Sequence, residues 1–176
     1  LAEAGQRYWQ ILPLGPTSYG DSPYQSFSTF AGNPYFIDPD DLVKRGYLTK
    51  KQCDSYDFGD NVEYVDYAKI YESRFKLLRE AWKNSRISEE PAFRVFAKDN
   101  AYWLDDYALY MAVKVSFDNV CGVEWDEDIK TRKPEALAKY RKRFAEEIEF
   151  CQFQQYLFQV QWEKLKTYAN DNGIKI

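Results

Sequence analysis

The clearest periodic pattern in the chain lies towards its C-terminal end, where apolar residues recur at steps of three and four. Its members are Leu137, Phe144, Ile148, Cys151, Phe158, Trp162, Leu165 and Ala169. Such a stripe is typical of the face of an amphipathic helix that packs against a core. Pro134 suits the start of a helix and Asn172-Gly173 suits its end, so the pattern predicts one long helix between them.

Several shorter stretches in the middle of the chain also carry helical spacing or capping residues. They predict a short helix opened by Pro39–Asp41 and ending near Gly46, a helix capped by Thr49, helices over residues 67–83 and 100–117, and a helix capped by Ser88 that runs through residues 91–97. The chain is therefore predicted to be mostly helical after residue 42.

The N-terminal part has a different pattern. Residues 7–14 form an apolar run without strict alternation, which is typical of a strand covered on both faces in a parallel sheet. Residues 174–176 begin a second apolar segment, and a parallel pair would make a right-handed βα unit. Residues 1–5 resemble the tail of a helix closed by Gly5. Because one and a half strands cannot build a sheet, we expect a fragment of a larger α/β protein.

A long segment rich in Gly, Pro, Ser, Asn and Asp follows the predicted strand, from residue 15 to residue 41. These residues favour turns, and an ordered loop of such length is usually functional. The tyrosines in it could offer flat faces to sugar rings while polar neighbours bind hydroxyl groups. The same aromatic residues could equally serve only to pack the loop, and their types alone favour packing.

Composition removes several classes of function. Lys+Arg 24 against Asp+Glu 28 gives a net charge of −4, so no basic surface for nucleic acid or anionic membranes is expected. The absence of histidine excludes Ser-His-Asp and Cys-His catalysis and His-ligated metal sites. Three widely spaced cysteines read as reduced thiols, buried as small apolar groups, in a cytoplasmic protein. No apolar run approaches the length of a membrane helix.

Other candidate sites are weaker. The glycines after the predicted strand match neither phosphate-binding loop motif. The sequence also contains several groups of neighbouring acidic residues, namely Asp40-Asp41, Glu89-Glu90, Asp105-Asp106 and Glu146-Glu147 with Glu149. Neighbours on a helix point about 100° apart, so no such pair faces a sugar from both sides, and solvated helix faces or caps explain them. Asp126-Glu127-Asp128 lacks the glycine and closing glutamate of a calcium loop. No metal site is predicted.

Seven sequence blocks together resemble one enzyme family, the 4-α-glucanotransferases, also called amylomaltases or disproportionating enzymes. The blocks are WQILPLGPT (9–17), YGDSPYQS (19–26), AGNP (31–34), VDY (65–67), WLDDYA (103–108), QYLF (155–158) and QW (161–162). The resemblance implies a partial (β/α)₈ barrel with a helical insertion. It places a helix tail, the second strand and a glucan-binding loop in residues 1–41, the insertion in 42–133, and a crossover helix with the start of the third strand in 134–176.

The resemblance also implies the activity and the site. Enzymes of this family transfer α-1,4-glucan segments between maltodextrins with retention, through a covalent glucosyl-enzyme, and need no cofactor. The catalytic carboxylates are expected outside this segment, so the isolated chain should be inactive. Implied glucan contacts are Tyr24 at the cleavage subsite, Ser22 and Pro23 beside it, Asp21 holding the turn, and Tyr19 with Tyr67 at a secondary contact. Ser18 stands where many relatives have glycine.

The expected partners are a maltodextrin or other α-1,4-glucan and the remainder of the barrel, with no nucleic acid and no membrane. The alternative from another class is a non-catalytic helical module that binds carbohydrate or protein. Such a module would fold by itself with a cooperative melt, whereas a barrel fragment would leave an apolar strand edge uncovered.

Overall fold

The described part of the molecule is mainly helical. The computed structural model describes residues 1–18 and 20–176, in which eight α-helices and three short 3₁₀ helices occur. The α-helices are α1 (Pro39–Lys44), α2 (Lys50–Asp54), α3 (Tyr67–Ser85), α4 (Pro91–Asp99), α5 (Ala101–Ser116), α6 (Glu127–Lys130), α7 (Pro134–Arg143) and α8 (Ala145–Asp171). The 3₁₀ helices are Pro34–Phe36, Ile87–Glu89 and Gly122–Glu124. No described helix is long and apolar enough to cross a bilayer.

The predicted strand over residues 7–14 forms only in part, and its predicted burial is wrong. The segment makes one isolated parallel bridge, between Tyr8 and Lys175. Trp9 N–H donates to Lys175 O at 2.8 Å and Lys175 N–H donates to Arg7 O at 2.9 Å. The pairing is parallel, as predicted, but Tyr8 is 72% exposed and Leu12 is 57% exposed. A parallel strand needs neighbours on both sides and on both faces, and the described residues supply only one short partner.

The two predicted left-handed glycines are present, but only Gly173 ends a helix, because residues 2–5 form a turn and not the expected helix tail. At the N-terminus, Gly5 has φ +69°, Gly5 N–H donates to Ala2 O and Gln6 N–H donates to Leu1 O. At the end of α8, Gly173 has φ +74° and the following Ile174 N–H donates to Ala169 O. This is the Schellman pattern, in which a left-handed residue satisfies the last helical carbonyls.

The short helices α1 and α2 start at side-chain caps. Asp38 accepts a hydrogen bond from Asp40 N–H and caps α1. Thr49 caps α2 as predicted and forms a capping box with Gln52, in which each side chain bonds to the backbone N–H of the other residue. The prediction for α4 was wrong in detail, because Ser88 lies in a 3₁₀ helix and Glu90 is the residue that precedes Pro91 at the start of α4.

The predicted single long helix is in fact two helices, α7 and α8, separated at Phe144, which has φ −111° and ψ 28°. The chemical reason lies in the charges at the junction. Arg141, Lys142 and Arg143 end α7, while Glu146 and Glu147 begin α8. Cations stabilise a helix C-terminus and anions an N-terminus, so this reversal of sign favours a stop and a new start. The apolar stripe is also not buried along its whole length, since Leu165 is 43% exposed.

Two compact units divide the chain. The first consists of residues 1–85 and 154–176, and the second of residues 86–153, so α8 contributes to both. In the first unit the fully buried side chains include Ile37, Leu42, Leu77, Leu78 and Leu157. In the second unit, Leu109, Val113, Ile129, Ala136 and Tyr140 form the core. The cysteines are free, with Cys53 and Cys151 buried as predicted and Cys121 exposed against prediction.

Candidate functional site

The loop after the N-terminal segment closes on itself. Asn33 N–H donates to Leu14 O at 2.8 Å, which joins the two ends of residues 15–32. Within the loop, Thr17 and Ser26 form an antiparallel bridge. Gly15 permits this approach, because a Cβ at that position would lie 2.6 Å from Ser26 Oγ. These contacts join the ends of the loop and tie Thr17 to Ser26 within it.

A tight turn, in which Gln25 N–H donates to Ser22 O at 3.1 Å, presents Tyr24. Asp21 has φ +54°, a conformation that Asp tolerates better than most residues, and its carboxylate accepts from Thr17 Oγ1 at 3.3 Å. Ser22 Oγ accepts from Tyr24 N–H at 3.3 Å, and Ser22 and Pro23 are half-buried. The Tyr24 side chain is 74% exposed. The turn is held by its own polar groups and leaves the aromatic ring open to a ligand.

Tyr35 packs against α3, a contact that the sequence-based reasoning missed. The ring centroids of Tyr35 and Tyr67 are 6.5 Å apart, and those of Tyr35 and Phe75 are 6.1 Å apart. Burial raises the pKa of Tyr35 to about 12, with further contributions from the negative charge of Asp21 and from Tyr71 and Tyr67. Tyr67 stays 43% exposed.

Of the six predicted glucan contacts, five are described. Asp21, Ser22, Pro23 and Tyr24 are consecutive residues, whereas Tyr67 starts α3 and packs against Tyr35. The sixth, Tyr19, lies outside the described residues. The roles of all six in glucan binding stay predictions.

The end of the loop and the residues that follow it are anchored to α8 by glutamines. Gln155 bonds to both backbone groups of Gly32, and Gln161 Oε1 accepts from Asp38 N–H at 2.7 Å. Gln161 Nε2 also donates to Asp41 Oδ2 at 3.1 Å. A signal for the Gln155 contact was present, because Gln154 and Gln155 lie among the apolar residues of 153–158 and a buried glutamine needs a polar partner. The sequence could not say which partner.

Burial acts to raise the pKa of Asp41, but hydrogen bonds from Arg45 and Gln161 outweigh it, so the pKa of this carboxyl is lowered. Arg45 Nε lies 2.7 Å from Asp41 Oδ2. A carboxylate held in its charged form at a helix start is a structural anchor and a poor proton donor at neutral pH.

Two other acidic residues are engaged in ion pairs or hydrogen bonds. Asp106 pairs with Arg132 at 2.8 Å and with Arg141 at 3.2 Å, and Asp126 accepts from the Tyr140 hydroxyl. Among the described residues, no group of three or more His, Cys, Asp or Glu side chains could hold a metal ion.

Comparison with known proteins identifies the family. A family model described as 4-alpha-glucanotransferase matches residues 1–176. The chain belongs to the 4-alpha-glucanotransferase family. This confirms the resemblance inferred from the sequence blocks.

Individual relatives align with all or nearly all of this chain. A 4-alpha-glucanotransferase of Clostridium butyricum is 49% identical over 176 residues, which are 100% of this chain and 36% of the relative. One of Thermus thermophilus is 44% identical over 180 aligned residues, covering 100% of this chain and 35% of the relative. The solved structure of an amylomaltase from Streptococcus agalactiae in complex with acarbose matches with a TM-score of 0.91 and 45% identity, over 98% of this chain and 35% of that chain. The chain thus spans about a third of the length of these family members.

Proposed function

We propose that this chain is part of a 4-α-glucanotransferase that transfers α-1,4-glucan segments between maltodextrins and that residues 21–24 contact the glucan. Support comes from the family match over all 176 residues and from the amylomaltase that was solved with acarbose. The observation in this molecule that carries the proposal is the exposed Tyr24 ring on a turn fixed by Asp21 and Ser22. A tyrosine ring held in this way offers an apolar face to a sugar ring and a hydroxyl to its polar edge.

The proposed architecture follows the family. Residues 1–41 would form a helix tail, the second barrel strand and the glucan loop, residues 42–133 a helical insertion, and residues 134–176 the crossover to the third strand of a (β/α)₈ barrel. The loop after a strand lies on the catalytic face of such a barrel. The exposed apolar side chains of Tyr8, Trp9 and Leu12 would then be covered by neighbouring parts of the barrel. The three free cysteines suit a cytoplasmic enzyme.

In this proposal, two carboxyl groups outside residues 1–176 carry out retaining transfer. One attacks the anomeric carbon and forms a glucosyl-enzyme, while the other protonates the leaving oxygen and then deprotonates the incoming acceptor hydroxyl. One glycosidic bond breaks and one forms, so the number of reducing ends stays constant. The residues of this chain would bind and orient the sugar at that centre.

The test uses the parent enzyme, meaning the full-length protein proposed to contain these residues, together with the isolated 176-residue chain. With maltotriose, the parent enzyme should release glucose and form longer maltodextrins without an increase in total reducing ends, while the isolated chain should do neither. Sustained transfer by the isolated chain would refute the placement of the carboxylates elsewhere. A steady rise in reducing ends with the parent enzyme would indicate a hydrolase instead.

The glucan contact is tested with Tyr24→Ala in the parent enzyme. Because the ring is mostly exposed, its loss should change the free energy of unfolding by no more than about 0.5 kcal/mol, while kcat/KM for maltotriose should fall at least tenfold. Val62→Ala, at a fully exposed position, serves as the control and should change neither quantity. Unchanged kinetics with a large drop in melting temperature would show that Tyr24 serves only to pack the loop.

A further inference from the structure

Gln155 forms an unusual contact in the first unit. Its side chain is buried, and the residue is only 2% exposed. Gln155 Oε1 accepts from Gly32 N–H at 2.8 Å, and Gln155 Nε2 donates to Gly32 O at 3.0 Å. One side-chain amide thus satisfies both backbone groups of a residue 123 positions away, as a neighbouring strand would.

Gly32 can make this contact only because it lacks a side chain. A Cβ on Gly32 would lie 2.0 Å from the ring of Phe158, which stands one turn beyond Gln155 on α8. The loop backbone therefore lies directly against the helix. At this distance the glutamine reaches both backbone groups without an intervening water.

From Gly32, hydrogen bonds run back into the loop. Ala31 N–H donates to Ser28 Oγ at 3.1 Å, and Ser28 N–H donates to Ser26 Oγ at 3.3 Å. Ser26 Oγ in turn donates to Ser28 O at 2.8 Å. In this part of the chain the hydrogen bonds of these serines stand where a β-sheet would have backbone hydrogen bonds. They connect the position of Gly32 to that of Ser26.

The same path reaches the turn that presents Tyr24. Ser26 is bridged to Thr17, and Thr17 Oγ1 donates to Asp21 Oδ1 at 3.3 Å. Asp21, three residues before Tyr24, itself has the left-handed backbone conformation with which the turn begins. A change at Gly32 can therefore alter the orientation of the Tyr24 ring through consecutive short contacts within the first unit.

We propose that Gln155 is a positioning residue for glucan transfer, acting through Gly32 to fix the loop that presents Tyr24. The proposal rests on the function proposed above, since it needs Tyr24 to contact the glucan. Gln155 does not itself touch the sugar. Its role is to hold the loop in one conformation before the substrate arrives, which avoids the cost of ordering the loop on binding.

The test compares Gln155→Met and Gln155→Glu with Gln159→Met in the parent enzyme. Met removes both hydrogen bonds at similar size. Gln159 lies one turn further along the same helix, where its amide bonds to Glu163, and provides the matched control. With all three variants folded at the assay temperature, kcat/KM for maltotriose should fall at least tenfold in Gln155→Met and stay within twofold of the parent in Gln159→Met.

Gln155→Glu supplies a readout that loss of stability alone would not produce. A protonated glutamic acid offers an O–H donor and a C=O acceptor where glutamine offers its N–H and C=O, while the ionised form has only acceptors and repels Gly32 O. Burial raises the pKa of such a carboxyl. The ratio of variant to parent kcat/KM should therefore recover at least fivefold between pH 8 and pH 5, at constant folded fraction.

The outcomes are distinct. If Gln155→Met keeps kcat/KM within twofold of the parent and only lowers the urea midpoint, Gln155 is a structural residue and the inference is wrong. If Gln155→Met does not fold, a Gln155→Glu ratio that stays flat between pH 8 and pH 5 overturns the inference. If the parent enzyme itself transfers no glucan, the proposed function fails first, which is a separate result.

Discussion

The close approach of Gly32 to α8 predicts that Gly32→Ala destabilises the protein through one steric contact. The added Cβ would lie 2.0 Å from Cδ1, 2.2 Å from Cε1 and 2.3 Å from Cγ of Phe158. Real Cβ atoms essentially never approach another heavy atom below 3.0 Å, so either the ring or the loop must move. The contact includes Cγ, at the root of the ring, so rotation of the ring cannot remove it.

The expected magnitude follows from two opposing effects. Overpacking a well-packed site costs about 1–3 kcal/mol, and a contact this short belongs at the upper end, about 3 kcal/mol. Alanine also restricts the unfolded chain more than glycine does, which returns up to about 1 kcal/mol. Gly32 does not have a left-handed φ, so no backbone penalty is added. The net loss should be roughly 2 kcal/mol in the free energy of unfolding.

A double-mutant cycle with Phe158→Ala tests the cause. Urea unfolding of the parent enzyme, the two single variants and the double variant should show that Gly32→Ala costs at least about 1 kcal/mol less in the Phe158→Ala background, where Cγ and the whole ring are gone. Gly46→Ala is the control, because Gly46 has φ +75° and no atom lies within 4 Å of where its Cβ would be, so Phe158→Ala should not relieve its cost. Additive effects of Gly32→Ala and Phe158→Ala would refute the steric explanation.

Two further predictions concern pH. The pKa of Asp41 is lowered in the folded state, so ionised Asp41 stabilises the fold at pH values above its unfolded-state pKa of about 3.9, and this stabilisation is lost as the pH falls through the lower folded-state pKa. Asp41→Asn should therefore lower the urea midpoint at pH 7 and make the fall of the midpoint between pH 5 and pH 3 less steep. Parallel curves for parent and variant would contradict this. The pKa of Tyr35 is raised to about 12, so its neutral form contributes to the free energy of unfolding fully below pH 10, and this contribution is lost as the pH rises from 10 to 12. Tyr35→Phe should therefore make the loss of stability at alkaline pH less steep. Tyr56, whose pKa is also raised to about 12, should leave a residual fall, and an unchanged slope would count against the role of Tyr35.

The features that the sequence predicted well are local ones. The left-handed conformations of Gly5 and Gly173 and the capping box at Thr49 depend on residues within five positions of each other. Their hydrogen bonds can be read from residue type and spacing alone. The break at Phe144 is also local, but the apolar period continues across it. The reversal from Arg141–Arg143 to Glu146-Glu147 was the signal that would have located it.

The errors in the strand and the omissions in the site depend on distant residues. Burial of residues 7–14 requires strand neighbours that the described residues do not supply, so the apolar pattern could not decide it. In the site, residues 21–24 could be selected by resemblance to the family, but the contact between Gln155 and Gly32 that holds their loop could not be predicted. Gln155 and Gly32 are 123 residues apart, and neither the helical period nor the turn chemistry pairs them.

The loop shows how an irregular segment can keep one shape without a sheet around it. Each backbone group withdrawn from water needs a partner, and a long loop has no ladder to provide them. Here Ser26 and Ser28 satisfy neighbouring backbone groups from within the loop, and Gln155 satisfies both groups of Gly32 from outside it. Losing Gln155 would leave two buried polar groups unpaired, at about 1–3 kcal/mol each, whereas losing the exposed Tyr24 ring would leave none. In the function proposed here, Gln155 serves both the stability of the loop and the orientation of Tyr24, whereas the Tyr24 ring serves ligand contact alone. Gln155→Met should therefore lower the urea midpoint and turnover together, and Tyr24→Ala should lower turnover only.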